Sequence, residues 1–121
     1  MKKILIDTNL ILRYVLDGDS FLPELAKSNL IWITNEVMIE VAYTLLSFYK
    51  VNRVQVFDLL TKLLMRPNIE CKRVLLFNSL ATFRDNPNLS LIDSFLINLS
   101  EVERVELATY DKKLARRAVR N

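Results

Sequence analysis

The chain has 121 residues, enough for one domain with a substantial core, and its 51% hydrophobic residues favour a large core or a partner interface. A formal net charge of +3 permits a polyanionic partner without requiring one. The sequence contains no histidine, which excludes Ser-His-Asp and Cys-His catalysis and histidine-ligated zinc. Because Cys71 is the single cysteine, no intramolecular disulfide can form, and any chemistry must come from carboxylates, hydroxyls, amides and basic groups.

The amino terminus begins with two lysines and a short apolar run that Asp7 interrupts after Ile6. A secretory signal needs an apolar core of about 7–15 residues. No segment of the sequence reaches the roughly 18 apolar residues of a membrane helix. We therefore expect a cytoplasmic protein that has no membrane partner.

Strands and helices alternate along the chain in the hydrophobic pattern. In chain order, we predict a strand at residues 3–6, helices at 7–16 and 20–29, a strand at 30–33, and helices at about 34–50 and 52–65. A strand at residues 69–72, helices at about 74–83 and 90–103, a strand at 105–109 and a last helix from residue 111 follow. The polar residues Ser20, Thr34 or Asn35, Asn52 and Ser90 are predicted helix caps, and Gly18 a carboxyl-terminal cap.

This alternation implies parallel crossover connections with helices on both faces of a sheet. The predicted fold is α/β: a three-layer α/β/α sandwich with a central, mostly parallel sheet of about four strands. We expect a single domain over residues 1–121.

Four acidic residues are placed where such a sheet could gather them into one crevice. Asp7 and Asp111 directly follow the first and last predicted strands, at whose carboxyl ends ligands bind in parallel α/β sheets. Asp93 lies in the first turn of a helix, and Glu40 lies about two turns into another. Hard divalent ions prefer oxygen ligands, and with such an ion clustered carboxylates can support phosphodiester hydrolysis without histidine.

Each of these acids also has a purely structural interpretation. Asp7 and Asp111 could simply cap helices, and Asp93 fits a capping box with Ser90, aspartate replacing the usual glutamate. Glu40 is too far into its helix to cap it, although it could face solvent. Because that helix is apolar on most sides, we expect it to be largely buried, so that Glu40 would need a cation.

Four short motifs follow one another along the chain: Ile6-Asp7-Thr8-Asn9 after a strand, Thr34 with Glu40, Asp93 early in an apolar helix, and Thr109-Tyr110-Asp111. The ordered set resembles the motifs of PIN-domain nucleases over essentially the whole chain. Length and the basic carboxyl end are similar to the VapC-type toxins of prokaryotic toxin–antitoxin pairs. Two positions depart from the family: Leu114 replaces a frequent aromatic, and Lys113 replaces a further acid of some members, for which Asn98 is a weak substitute.

The resemblance implies a metal-dependent endoribonuclease. Asp7, Glu40, Asp93 and Asp111 would be catalytic residues that bind one or two Mg²⁺ or Mn²⁺ ions, whose bound water attacks an RNA phosphodiester. Thr8 and Thr109 would hold carboxylates or waters around the metal. The resemblance also implies a homodimer and inhibition by a small antitoxin protein.

Basic residues crowd the carboxyl end. Lys112, Arg116 and Arg120 are spaced i, i+4 and i+8, with Lys113 and Arg117 in the neighbouring row. They form either a solvated face suited to a helix carboxyl terminus or a set of RNA phosphate contacts. Arg13, about two turns after Asp7, is a further weak candidate for RNA binding.

Three other interpretations of the sequence stay open. The chain could be a housekeeping RNA-processing nuclease with the same site, or a non-catalytic PIN-like scaffold that binds RNA or protein. It could also be a response-regulator-like domain, which uses clustered acids with Mg²⁺. That last class expects paired acids at the first strand's end, whereas Asp7 has no acidic neighbour and Glu40 would be unexplained.

Overall fold

The computed structural model describes residues 1–117, except for the side chains of Arg116 and Arg117. Backbone contacts divide the chain into two compact units, Met1–Arg73 and Val74–Asn121.

The first unit contains a parallel sheet and four helices. In chain order its elements are β1 (Lys2–Leu5), α1 (Thr8–Asp17), α2 (Phe21–Ala26), β2 (Asn29–Trp32), α3 (Asn35–Ser47), α4 (Arg53–Leu64) and β3 (Ile69–Glu70). The strand order is β1-β2-β3, with Leu5 opposite Trp32 and Trp32 opposite Glu70. The predicted α/β class, with a parallel sheet flanked by helices, is confirmed.

Alternate residues of each strand point to opposite faces of the sheet. One face is formed by Ile31, Ile33 and Ile69, all of them buried. The helices of this unit pack on one another, α1 against α2 and α3 and α3 against α4, and bury Ile11, Val41, Leu45, Leu60 and Leu64. On the opposite face of the sheet Lys3 forms an ion pair with Glu70, and its ammonium lies 4.7 Å from the centre of the Trp32 ring. Polar contacts therefore join all three strands on the face that is not core.

Side-chain caps begin three of these helices as the sequence predicts. Asp7, Thr34 and Asn52 accept hydrogen bonds from backbone N–H groups three residues later, at 3.1, 3.2 and 2.9 Å. Gly18 ends α1 in the left-handed conformation, with φ of 68°. The predicted Ser20 cap is wrong: Ser20 already has helical dihedrals and makes no capping bond, and Asp19 Oδ1 instead accepts from the Phe21 N–H at 2.8 Å.

The second unit is helical over the residues that the structure describes. Its helices are α5 (Arg73–Asp85), which starts at the boundary between the units, α6 (Leu91–Glu103) and α7 (Lys112–Arg117). Leu89, Ile97 and Leu114 form a buried cluster, with Leu107 packed against it. Leu114, which replaces a frequent aromatic of the resembled family, is therefore a core residue. Across residues 1–117 none of the helices has the length and hydropathy needed to cross a bilayer.

Residues 105–109 do not form the predicted fourth strand. Arg104 ends α6 in the left-handed conformation, and the Val105 N–H then donates to the Ser100 carbonyl at 3.0 Å. The Ser100 hydroxyl also donates to the Val105 carbonyl. The polar groups of Val105 are thus bonded to the end of α6 rather than to a neighbouring strand, and the described residues form a sheet of three strands.

Candidate active site

Asp7 lies at the carboxyl edge of the sheet. Ile6 continues the pairing of β1 with β2, since its N–H donates to the Trp32 carbonyl at 3.4 Å. Asp7 follows in an extended conformation and caps α1 through Oδ1, which accepts from the Leu10 N–H. Its carboxylate is exposed, so a strand on one side and a helix on the other hold it in front of solvent.

Two recesses open at this edge of the first unit. The Asp7 groove, with a volume of about 520 Å³, is lined by Asp7, Asn9, Leu10, Arg13, Asp19 and Phe21. The sheet-end cavity, of about 400 Å³, lies beyond β2 and β3 and is lined by Trp32, Ile33, Thr34, Asn35, Glu36, Glu70, Cys71 and Lys72. The sheet-end cavity lies where ligands bind in open parallel sheets, and the Asp7 groove begins at the same edge and continues along α1.

Glu40 is exposed on α3, contrary to the expectation that this helix is largely buried. The helix buries Met38, Val41, Ala42 and Leu45, whereas Glu36 and Tyr43 share the exposed side with Glu40. Because Glu40 is exposed, water can solvate its charge, and the carboxylate does not require a cation to balance it. The assignment of Glu40 as a metal ligand stays a prediction that rests on the motif order.

Asp93 and Asp111 have the capping roles that their positions suggest. Asp93 and Ser90 form a reciprocal capping box at the start of α6. Asp111 Oδ1 accepts from the N–H groups of Lys113 and Leu114 at 2.9 and 3.3 Å, and so begins α7. Thr109 Oγ1 accepts from the Asp111 N–H at 3.0 Å. The Thr109 hydroxyl thus fixes the backbone of Asp111 rather than its carboxylate.

A comparison with protein-family models decides the identity: the model of the PIN domain matches residues 4–120. The chain belongs to the PIN-domain family. Members of this family are generally nucleases that use divalent metal ions and act on RNA or other nucleic acids. Searches of curated proteins and of solved structures returned no match.

The donor chemistry of this PIN domain suits a hard divalent cation, because carboxylate oxygens are the ligands that such ions prefer. Capping occupies one oxygen each of Asp7, Asp93 and Asp111, and a carboxylate has a second oxygen for a further partner. Capping and metal binding are therefore compatible. Within residues 1–117 no group of three or more Asp, Glu or Cys side chains is close enough together to hold an ion. Asp7 and Glu40 belong to the first unit, Asp93 and Asp111 to the second, and their convergence stays a prediction.

The other predicted site residues of the PIN domain differ in their exposure and in whether the structure describes them. Thr8 is the first, half-buried residue of α1, and Arg13 lies exposed in the Asp7 groove. Lys112 is exposed at the start of α7, the Arg116 side chain is not described, and Arg120 lies outside the described residues. The Asn98 amide nitrogen donates to Thr82 Oγ1 and to the Ser94 carbonyl at 3.0 and 2.8 Å, so it serves the helical packing.

Sequence reasoning missed two residues that share the groove with Asp7. Asp19 and Phe21 are two positions apart, a spacing at which an aspartate commonly bonds the backbone N–H ahead of it. That spacing signals the local turn. The spacing does not reveal that Phe21 lines the same groove as Asp7, because this depends on how α2 packs against α1 after the turn.

Proposed function

We propose that this PIN domain is a metal-dependent endoribonuclease and the toxin of a toxin–antitoxin pair, and that residues 1–121 act as one domain. The observation that carries the proposal is the family match over residues 4–120, which includes parts of both units. The exposed Asp7 carboxylate at the carboxyl edge of the parallel sheet supports it, since this is where such sheets bind ligands.

In this proposal Asp7, Glu40, Asp93 and Asp111 hold one or two Mg²⁺ or Mn²⁺ ions. A divalent ion bound there would supply Lewis-acid polarisation of the phosphodiester and a water of lowered pKa. The protein keeps the carboxylates in place: the Leu10 N–H holds one oxygen of Asp7, and Thr109 orders the backbone at Asp111. Thr8 would orient Asp7 or a metal-bound water.

Arg13, Lys112 and Arg116 would contact the RNA backbone. A guanidinium offers paired donors to a phosphate, and the exposure of Arg13 in the groove that Asp7 also lines supports this role. A sequence pI of about 9.1 favours association with a polyanion. Such binding would weaken as the salt concentration rises.

We further propose a cytoplasmic homodimer that a small antitoxin inhibits. Large apolar side chains stay exposed on the chain, among them Val54, Met65 and Val74, and an apolar surplus of this kind suits a protein interface. A housekeeping RNA-processing nuclease would share the site, and the two roles differ in whether a cognate inhibitor exists.

Cleavage of labelled RNA with Mg²⁺ or Mn²⁺, against EDTA, tests the proposed activity. Asp7→Asn should lose at least about 100-fold in rate, because even residues that only support a metal ligand are commonly worth 10–100-fold. Asp17→Asn is the matched control, since Asp17 is an exposed aspartate at the other end of α1. Equal cleavage by Asp7→Asn and wild type, at matched purity, would remove the active-site assignment.

A further inference from the structure

Phe21 presents an aromatic ring to the Asp7 groove. Its side chain is 57% exposed, and it stands at the first position of α2. The bond from its N–H to Asp19 Oδ1, at 2.8 Å, fixes the backbone from which the ring projects. Phe48 is more exposed, at 73%, yet lines neither recess described above. Phe21 therefore combines an exposed ring with a place in the groove that the proposed metal ligand Asp7 also lines.

The size and charge of the Asp7 groove restrict what it can accept. Its volume of about 520 Å³ falls in the range of sites for small molecules, about 300–1,000 Å³. One nucleotide fits such a space, whereas a duplex does not. Arg13 supplies a cation on α1 beside the two acids of the groove, Asp7 and Asp19. Asn9, one turn before Arg13, supplies an amide that can donate and accept hydrogen bonds.

We propose that Phe21 stacks on an unpaired base of single-stranded RNA while Arg13 contacts the phosphate of the same strand beside Asp7. This inference rests on the proposed function, because it places the nucleotide in the groove that the proposed metal ligand Asp7 lines. Proteins read single-stranded RNA largely by stacking splayed bases on aromatic rings. A planar guanidinium is well suited to the neighbouring phosphate.

Stacking on Phe21 would determine which bases this one position of the groove accepts. Every base has a π-face, so stacking on Phe21 tolerates any base at this position. A base within a duplex is stacked on its neighbours and is not accessible to the ring. The position bound by Phe21 would therefore need an unpaired base and would discriminate weakly among bases.

Binding of labelled RNA to the Asp7→Asn protein, in EDTA and at low salt, tests the proposal without cleavage. In this background a single-stranded oligoribonucleotide, followed by fluorescence anisotropy, should bind about tenfold more weakly to Phe21→Ala, in keeping with the usual effect of removing a stacking ring. Phe21→Trp should retain binding. Phe21→Leu, which keeps an apolar side chain without a π-face, should bind as weakly as Phe21→Ala.

Phe48→Ala is the matched control, because it removes an equal ring of greater exposure outside the Asp7 groove. Unchanged affinity in Phe48→Ala, and duplex RNA insensitive to Phe21→Ala, would support the proposal. Equal affinities of Phe21→Ala and its parent, or binding by Phe21→Leu as tight as by Phe21→Trp, would overturn it. Circular dichroism of each variant verifies that the loss does not come from unfolding.

Sedimentation velocity of the same variants separates RNA binding from a protein interface. If Phe21→Ala abolishes self-association and leaves RNA affinity unchanged, Phe21 belongs to an interface and the proposal fails. The binding assay needs neither metal nor cleavage, so its failure is distinct from that of the nuclease proposal. Arg13→Gln should reduce the slope of log affinity against log salt by about 0.7, the loss of one single-strand phosphate contact.

Discussion

Ser90 and Asp93 exchange two hydrogen bonds at the start of α6. Ser90 Oγ accepts from the Asp93 N–H at 3.0 Å, and Asp93 Oδ2 accepts from the Ser90 N–H at 3.3 Å. The pair satisfies two backbone donors that the first turn of a helix would otherwise leave unbonded. Asp93 thus has a structural role that is independent of any metal. A loss of activity in an Asp93 variant can therefore come from the loss of a metal ligand or from a less stable helix, and the two causes must be distinguished.

Ser90→Ala and Asp93→Asn should therefore differ in opposite ways: the first should lower stability and the second should lower RNA cleavage. Ser90→Ala removes the capping acceptor and should cost about 1 kcal/mol in the free energy of unfolding while leaving cleavage by the folded protein unchanged. Asp93→Asn keeps a side-chain oxygen that can accept from Ser90, so it should lose less stability but most of the cleavage. Chemical denaturation and RNA cleavage measured on both variants test this. Wild-type cleavage by Asp93→Asn would leave Asp93 as a cap alone.

Glu40 provides a test free of that complication, because it is exposed and caps nothing. Glu40→Gln should change the free energy of unfolding by no more than about 0.5 kcal/mol, as is usual for surface substitutions. We expect it to reduce RNA cleavage by a factor similar to that of Asp7→Asn. Asp58→Asn, at an exposed acid of α4 that lines neither recess, is the control and should retain cleavage. If the two variants are equally active, Glu40 is a solvated surface acid.

Local signals predicted much of the fold. Alternating strands and helices, the caps at Asp7, Thr34 and Asn52 and the glycine that ends α1 depend on residues within a few positions of one another. Two predictions that required knowledge of distant neighbours were wrong: the strand at residues 105–109 and the burial of α3 around Glu40. Residues 105–109 have a strand-like pattern, but an apolar run becomes a strand only where a partner supplies hydrogen bonds.

The same limit applies to the candidate site. The sequence places Asp7 at a strand end, and the structure confirms that position, because β2 pairs with β1 and the cap from Asp7 to the Leu10 N–H is local. It misjudged Glu40, since the apolar residues of α3 suggested burial, whereas the side of the helix that carries Glu40 and Tyr43 is exposed. Phe21 gave no sequence signal, because its place in the Asp7 groove depends on the packing of α2 beside α1.

Metal binding should be visible as a gain in stability. An ion that binds the native state and not the unfolded chain stabilises it by about 2.7 kcal/mol at 100 times its dissociation constant. Thermal unfolding with millimolar Mn²⁺ should therefore show a higher Tm than unfolding in EDTA, with a smaller increase for Asp7→Asn. Asp17→Asn should keep the full increase. An increase of equal size in wild type and Asp7→Asn would place the ion elsewhere.

Cys71 reports on the sheet-end cavity through its acidity. Burial raises the pKa of the Cys71 thiol; nearby Glu70 raises it further, whereas the charge of Arg73 acts in the opposite direction. Since the folded pKa lies above the unfolded one, this contribution to stability is present at neutral pH and is lost as the pH rises through the folded pKa. Only the thiolate reacts with iodoacetamide, so the native protein at pH 8 should be alkylated more slowly than the denatured chain.

The cause of that slow reaction can be separated from poor access to the sulfur. If acidity limits it, the native rate should keep rising at pH values where the denatured chain has already reached its plateau. Glu70→Gln removes the neighbouring negative charge, and it should move the native profile to lower pH by more than that of the denatured chain, in which water weakens the effect of the adjacent charge. Native and denatured profiles with the same midpoint, differing only in plateau height, would mean that access rather than pKa controls the thiol.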